Sequence, residues 1–324
     1  AATTVTLMKL EEDGQLSLDD KMVKYLPELA TTNKLHMTIK MVLEHKAGLK
    51  DWIPFYAETT QDDYVYDSVY SKVPTDLHTV FVGNGLYMLD TYKERIMQQI
   101  YDSEVGAINK YKYSDLGMIL MKELIERVTG TDFQDYVDAV YFKPMGISRL
   151  TFLPLDKFDK AEIVPTSLSP DMRQGLVHGM VHDPGAAMLG GVSGHAGLFG
   201  NAESLAVLMQ MLLNGGTYNN VQYLKPETIS KFTAKQARDS RRGIGWDKPE
   251  MNRKKGNPAS DLASANCFGH TGFTGTMIWA DPAYDLVYVF LSNRVYPTQD
   301  NRKLIRMGVR TNIMDVIYES FLLQ

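Results

Sequence analysis

The chain has 324 residues, a single cysteine and a formal net charge of −5. That length buries a sizeable core, as one large domain or two modest ones, without any staple; one cysteine excludes an internal disulfide and a cysteine-rich zinc site. The charge gives no electrostatic reason to expect nucleic acid, and no run of 18 apolar residues reads as a membrane-spanning helix.

The first ten residues, Ala1-Ala2-Thr3-Thr4-Val5-Thr6-Leu7-Met8-Lys9-Leu10, show no initiator Met, basic region or cleavage-site pattern. They read as the middle of a mostly buried helix stopped at Gly14. Ser17 before Leu18-Asp19-Asp20 predicts the cap of a second helix closed by Pro27, and Thr38 predicts the cap of a third, Ile39 to about His45. A Gly83-Asn84-Gly85 turn precedes a predicted helix from Leu86 to Ile100. Leu116, Ile119, Leu120, Leu124 and Val128 recur at helical spacing up to Gly130. Five prolines from Pro144 to Pro184 make 142–200 mostly loop. Asn201 then predicts the cap of a helix from Ala202 to Leu213.

After Gly243 the pattern changes to strands: Gly245-Trp246, Cys267 to Thr271, Thr276 to Ala280 and Leu286 to Ser292. The last two are joined as an antiparallel hairpin by Asp281-Pro282-Ala283-Tyr284-Asp285. Cys267, in an apolar strand pattern, reads as a small core residue. Arg302 to Leu323 reads as one terminal amphipathic helix. Arg238, Arg241, Arg242, Arg253, Lys254 and Lys255 cluster without interleaved aromatics, which reads as a solvated loop.

Two short segments carry chemistry. Gly269-His270-Thr271-Gly272-Phe273 runs into a strand with more glycine than a strand interior favours, so backbone N–H groups, an imidazole and a hydroxyl lie together. Tyr113-Ser114-Asp115 stands at a helix start, where it also suits an ordinary cap. A phenol, a hydroxyl and an imidazole together suit the proton traffic of acyl transfer, provided a nucleophile is present. His178, His182, Asp183 and His195 invite a metal reading, but Gly179 and Pro184 argue against a rigid helix there, and no metal site is expected.

With both segments present in this order, the chain resembles the serine β-lactamase and penicillin-binding-protein superfamily. The branch is the class C-like one, which includes D-alanyl-D-alanine carboxypeptidases and esterases. Tyr113-Ser114-Asp115 is similar to its Tyr-x-Asn box and His270-Thr271-Gly272 to its third box in the His-Thr-Gly form. The segments 12–20, 25–28, 190–199 and 291–294 resemble the family as well. The resemblance implies an α+β fold, with an antiparallel sheet flanked by helices beside a mainly helical lobe. As one domain over 1–324, the lobe would span roughly 15–240, and the sheet with the terminal helix roughly 241–324.

The resemblance further implies a serine hydrolase acting on an amide, ester or lactam through an acyl-enzyme, without a cofactor, in an extracytoplasmic setting, on a small-molecule or peptide substrate. Tyr113 would be the general base or proton relay, His270 would bind a substrate carboxylate or relay protons, and the Phe273 N–H would be half of the oxyanion hole. Asp115, Thr271 and Gly272 would meet substrate. Asp115 departs from the family's Asn: a carboxylate only accepts hydrogen bonds, whereas an amide also donates.

No serine of the chain has a lysine three places on. The expectation is therefore that the Ser-x-x-Lys box and the first strands of the sheet lie ahead of Ala1, in a longer chain with a possible further domain upstream, and that these residues alone are inactive. The alternative is a catalytically dead module that binds a cell-wall peptide, a sugar or a partner protein.

Overall fold

The computed structural model describes 1–324 apart from Asp63, Asp239, Arg253, Lys254 and Gln324; of Leu322 only the backbone is described. Its largest regular element near the C-terminus is a three-stranded antiparallel sheet. Met277–Asp281 is central, with Phe268–Thr271 on one side and Leu286–Phe290 on the other. The register pairs His270 with Ile278 and Ile278 with Val289.

Side chains alternate between the two faces of such a sheet, and both faces are covered. Phe268, Ile278 and Ala280 join the main core, where Leu208 and Leu212 of the helix Ala202–Leu213 pack. Cys267, Met277, Trp279 and Tyr288 join a second cluster closed by Met314 and Tyr318 of the helix Val309–Leu322. Each large side chain taken from water here is worth about 1.5–3 kcal/mol. The buried Asp281 carboxylate ties the hairpin to its surroundings: it accepts from the Ser264 N–H and from the Tyr318 hydroxyl at 2.8 and 2.7 Å.

The rest is mainly helical. Ala2–Glu12 is buried on nearly all sides, so its threonines as well as Val5, Leu7, Met8 and Leu10 face protein. It packs against Asp115–Thr129 and Pro226–Thr233. The caps expected at Thr38 and Asn201 are present: their side chains accept from the Met41 and Ser204 N–H groups at 3.2 and 2.9 Å.

Four expectations change. Ser17 caps no helix; Asp20 turns back to accept from the Ser17 N–H at 2.9 Å, and only the short 3-10 turn Met22–Lys24 follows. Leu86–Met88 is a strand paired with Val80–Gly83, and the helix begins later, at Tyr92–Asp102. Gly308, at φ 59°, divides the terminal helix into Lys303–Arg306 and Val309–Leu322. Gly245-Trp246 forms no strand; the neighbouring Asp247 makes an isolated bridge to Gly269. Among the described residues, no helix is long and apolar enough to cross a membrane.

Candidate active site

Tyr113-Ser114-Asp115 is strapped down before its helix begins. The Ser114 hydroxyl donates to the Lys50 carbonyl at 2.5 Å and the Asp115 N–H to the Asp51 carbonyl at 2.9 Å. Ser114 therefore makes no side-chain cap; it anchors the loop that presents Tyr113. Its N–H donates to Nδ1 of His45 at 3.2 Å, which makes that nitrogen an acceptor. The Tyr113 ring lies 4.5 Å from the His45 ring and 6.5 Å from the His270 ring, between centroids, so it stands between two imidazoles. His45 is buried, and burial, then Arg242 and His270, hold its pKa well below the usual range.

His270 comes from the strand on the other side. Its Nδ1–H donates to the Thr271 carbonyl at 2.8 Å, and its Nε2 accepts from Arg242 at 3.4 Å. Burial, then Arg242, lower its pKa to about 4. At neutral pH it is thus an uncharged acceptor. The cation on this wall is Arg242, only 3% exposed, and this corrects the solvated-loop reading at two positions. Arg241 makes a bidentate pair with Asp247 at 2.7 and 2.9 Å. Arg238 and Lys255 are exposed as expected, and Arg253 and Lys254 lie outside the described residues.

The next turn places Phe273. The Gly272 N–H donates to Thr276 and the Gly275 N–H to Gly272, while among the described residues no acceptor is bonded to the Phe273 N–H. The Phe273 ring is 63% exposed. It stacks on His182 at 5.5 Å and carries the Arg294 guanidinium at 4.6 Å. Gly269 serves packing rather than ligand approach: a Cβ there would meet the Ile278 carbonyl oxygen at 2.0 Å.

A second wall, beside Asp115, is acidic. Asp183 Oδ1 accepts from the Ala186 N–H at 2.6 Å, capping the short helix Pro184–Met188, and from His195 Nε2 at 3.0 Å. His195 Nδ1 faces the Ser193 hydroxyl at 2.9 Å. Burial opposes charge on His195, but the bond to Asp183 and its charge prevail, so its pKa is raised; burial likewise opposes the lowered pKa of Asp183. Gly194 lets this loop touch the helix that starts at Asp115, because a Cβ would lie 1.9 Å from the Met118 carbonyl oxygen. Asp115 feels both partners: burial raises its pKa, His195 lowers it and Asp183 raises it. Tyr113 keeps 41% exposure, yet loss of water around the phenol, then Asp115, push its pKa up, with Arg242 pulling the other way.

His178 and His182 are engaged elsewhere, with the Ile163 carbonyl and the Ser167 hydroxyl. Among the described residues, no set of three His, Cys, Asp or Glu is arranged to hold a metal.

Tyr113 and His270 are therefore brought together from segments far apart in the chain, with the Phe273 turn following His270. The family model for Beta-lactamase matches residues 1–309. The chain belongs to the β-lactamase family. It is 33% identical over 326 residues to an Escherichia coli K12 protein named as a D-alanyl-D-alanine carboxypeptidase, covering 93% of this chain and 69% of that one. Among solved structures, simvastatin synthase from Aspergillus terreus matches with a TM-score of 0.66 at 16% identity, over 99% of this chain and 82% of that one. A penicillin-binding-protein homologue from Caulobacter crescentus matches at 0.60 and 20%, over 90% and 75%. These likenesses agree with the mixed architecture of antiparallel sheet and helices in this β-lactamase-family chain.

Two residues of the site were not singled out from sequence. His45 is a lone histidine at a short helix's end with no spacing to mark it. Arg242 sits in Arg242-Gly243-Ile244-Gly245-Trp246, where the buried Ile244 and Trp246 were the available sign that the charge run turns inward.

Proposed function

We propose that this chain carries the proton-transfer and oxyanion side of a serine acyl-transfer site. It would act on an amide, ester or lactam, with D-alanyl peptides favoured by the name of its Escherichia coli relative. The observation that carries the reading is the placement of Tyr113 6.5 Å from His270, beside a turn whose Phe273 N–H is unclaimed among the described residues. Tyr113 passes protons between nucleophile and leaving group. The Phe273 N–H donates to the developing oxyanion; loss of one such donor typically costs about 2.7–4 kcal/mol of transition-state stabilisation. Thr271 and Gly272 line the substrate, and Asp115 accepts a hydrogen bond from an ammonium or hydroxyl on it.

The nucleophile is not among the serines near this site. Ser114 gives its hydroxyl to Lys50, and Ser193 is buried on His195. We infer that a Ser-x-x-Lys segment outside these 324 residues supplies it, that these residues alone form no acyl-enzyme, and that the setting is extracytoplasmic. The absence of Ser-x-x-Lys favours a second reading, a binding module for cell-wall peptide or sugar.

The test is hydrolysis of a D-alanyl-D-alanine peptide, a p-nitrophenyl ester and a β-lactam by a protein carrying Ser-x-x-Lys ahead of Ala1. Turnover of at least one supports the enzyme. No turnover, together with calorimetric binding of a muropeptide, supports the module.

A further inference from the structure

We propose that Arg242 is a positioning residue: it holds His270 as a neutral imidazole by donating to Nε2, and its guanidinium is the positive charge of the wall that faces Tyr113. The geometry points to this at three places. Arg242 approaches His270 Nε2 at 3.4 Å while Nδ1 is committed to the Thr271 carbonyl, so the guanidinium meets the lone pair and not a proton. Asp247 does not neutralise it fully, because both carboxylate oxygens are taken by Arg241 and the contact to Arg242 is 3.6 Å. Its own Nε is buried and has no partner among the described residues.

The segment that carries Arg242 is fixed at both ends. The Arg242 N–H donates to the Ser240 hydroxyl at 3.2 Å, and its carbonyl accepts from Gln236 at 3.1 Å. Further on, Asp247 and Gly269 exchange backbone bonds at 2.8 and 3.0 Å, which locks the segment to the strand bearing His270. A guanidinium stays charged at any accessible pH, so this wall keeps its sign where a histidine would lose it. The neighbouring groups respond in one direction: after burial, Arg242 is the next cause lowering His45 and His270, and it is what pulls the Tyr113 phenol down against burial and Asp115.

The groups facing His270 are Arg242 and Asp247, with His45 across the site; those facing Tyr113 are Asp115, Arg242 and Tyr111. This inference draws on the functional reading only for what the wall faces, because a protonation state is read without turnover. Failure of the hydrolysis assay above therefore leaves it standing, and its own failure leaves the hydrolysis assay untouched.

The experiment is two-bond ¹⁵N–¹H NMR of the histidine rings in the 324-residue chain, titrated from acid to neutral pH, for the wild type, Arg242→Gln and Arg242→Lys. In the wild type, His270 is expected as the Nδ1–H tautomer with a midpoint near the value of about 4. Arg242→Gln is expected to raise that midpoint by about one pH unit or more, and Arg242→Lys to keep it near the wild type. A His270 midpoint near its free value of about 6.5 in the wild type, or an unchanged midpoint in a folded Arg242→Gln, overturns the proposal. If Arg242→Gln does not fold, the wild type decides: an Nε2–H tautomer, or a midpoint near the free value, overturns it equally.

Discussion

Two half-buried histidines serve this site, His270 facing the Tyr113 ring and His195 acting on the neighbouring Asp115, and the fold shifts their protonation in opposite directions. His270 meets a guanidinium and its pKa is lowered to about 4, while His195 meets a carboxylate and its pKa is raised. Both are desolvated, so burial pushes both toward neutrality; what separates them is the sign of the partner within hydrogen-bond reach. The comparison shows that the partner, and not the residue type, sets the direction of each histidine's shift. The Tyr113 phenol is raised by burial and then by Asp115, and lowered by Arg242.

The walls are built with the same tolerance, and the largest expected effects test that. Gly194→Ala would press a Cβ to 1.9 Å from the Met118 carbonyl oxygen, and Gly269→Ala one to 2.0 Å from that of Ile278. Each is expected to cost about 3 kcal/mol or more in urea unfolding, whereas Gly256→Ala, with nothing within 4 Å, is expected to be neutral. If Gly194→Ala is neutral too, the acidic wall is not packed onto the helix as described.

Acid unfolding separates the walls next. His270 has a lowered pKa, so the unfolded chain binds its proton first, and stability rises with pH between about 4 and the unfolded value of about 6.5. His195 has a raised pKa, so its contribution is complete below about 6.5 and is lost as pH climbs through its folded value. Asp183, with a lowered pKa, contributes above the unfolded value of about 3.9 and loses that contribution as pH falls through its folded one. In Asp183→Asn the His195 resonance should titrate lower while His270 stays in place. Joint movement of the two would mean that the walls are not independent.

A smaller effect concerns specificity. Asp115→Asn, in a protein carrying Ser-x-x-Lys, is expected to lower kcat/KM for amine-bearing acyl substrates relative to neutral ones. Equal ratios in both forms would remove Asp115 from recognition. Smallest is Phe273→Ala, which loses the Arg294 contact over its ring; at this exposed site that is worth about 0.5–1 kcal/mol in stability, to be read from the thermal midpoint.

How much of this was legible in sequence differs by element for physical reasons. The strands around Met277–Asp281 showed because alternation and the Asp281–Asp285 turn are local signals, and the Asn201 cap showed because its acceptor lies three residues away. Tyr113 and His270 stood out through their boxes. Leu86–Met88 was hidden because a short apolar run suits strand or helix until its partner Val80–Gly83 is seen. Ser17 failed as a cap because Asp20 supplied the acceptor in the opposite direction. Arg242 looked solvated because a run of charges gives no hint that one member turns inward, and after burial it is the main influence on the state of His270.

The most direct test of the acyl-transfer reading is the rate of fluorophosphonate labelling of a protein in which a Ser-x-x-Lys segment precedes Ala1, compared with its Tyr113→Phe variant. The account expects stoichiometric labelling of that serine, slowed about 100-fold or more by the loss of the phenol hydroxyl. Equal rates in the two proteins, or no labelled serine in either, would contradict it.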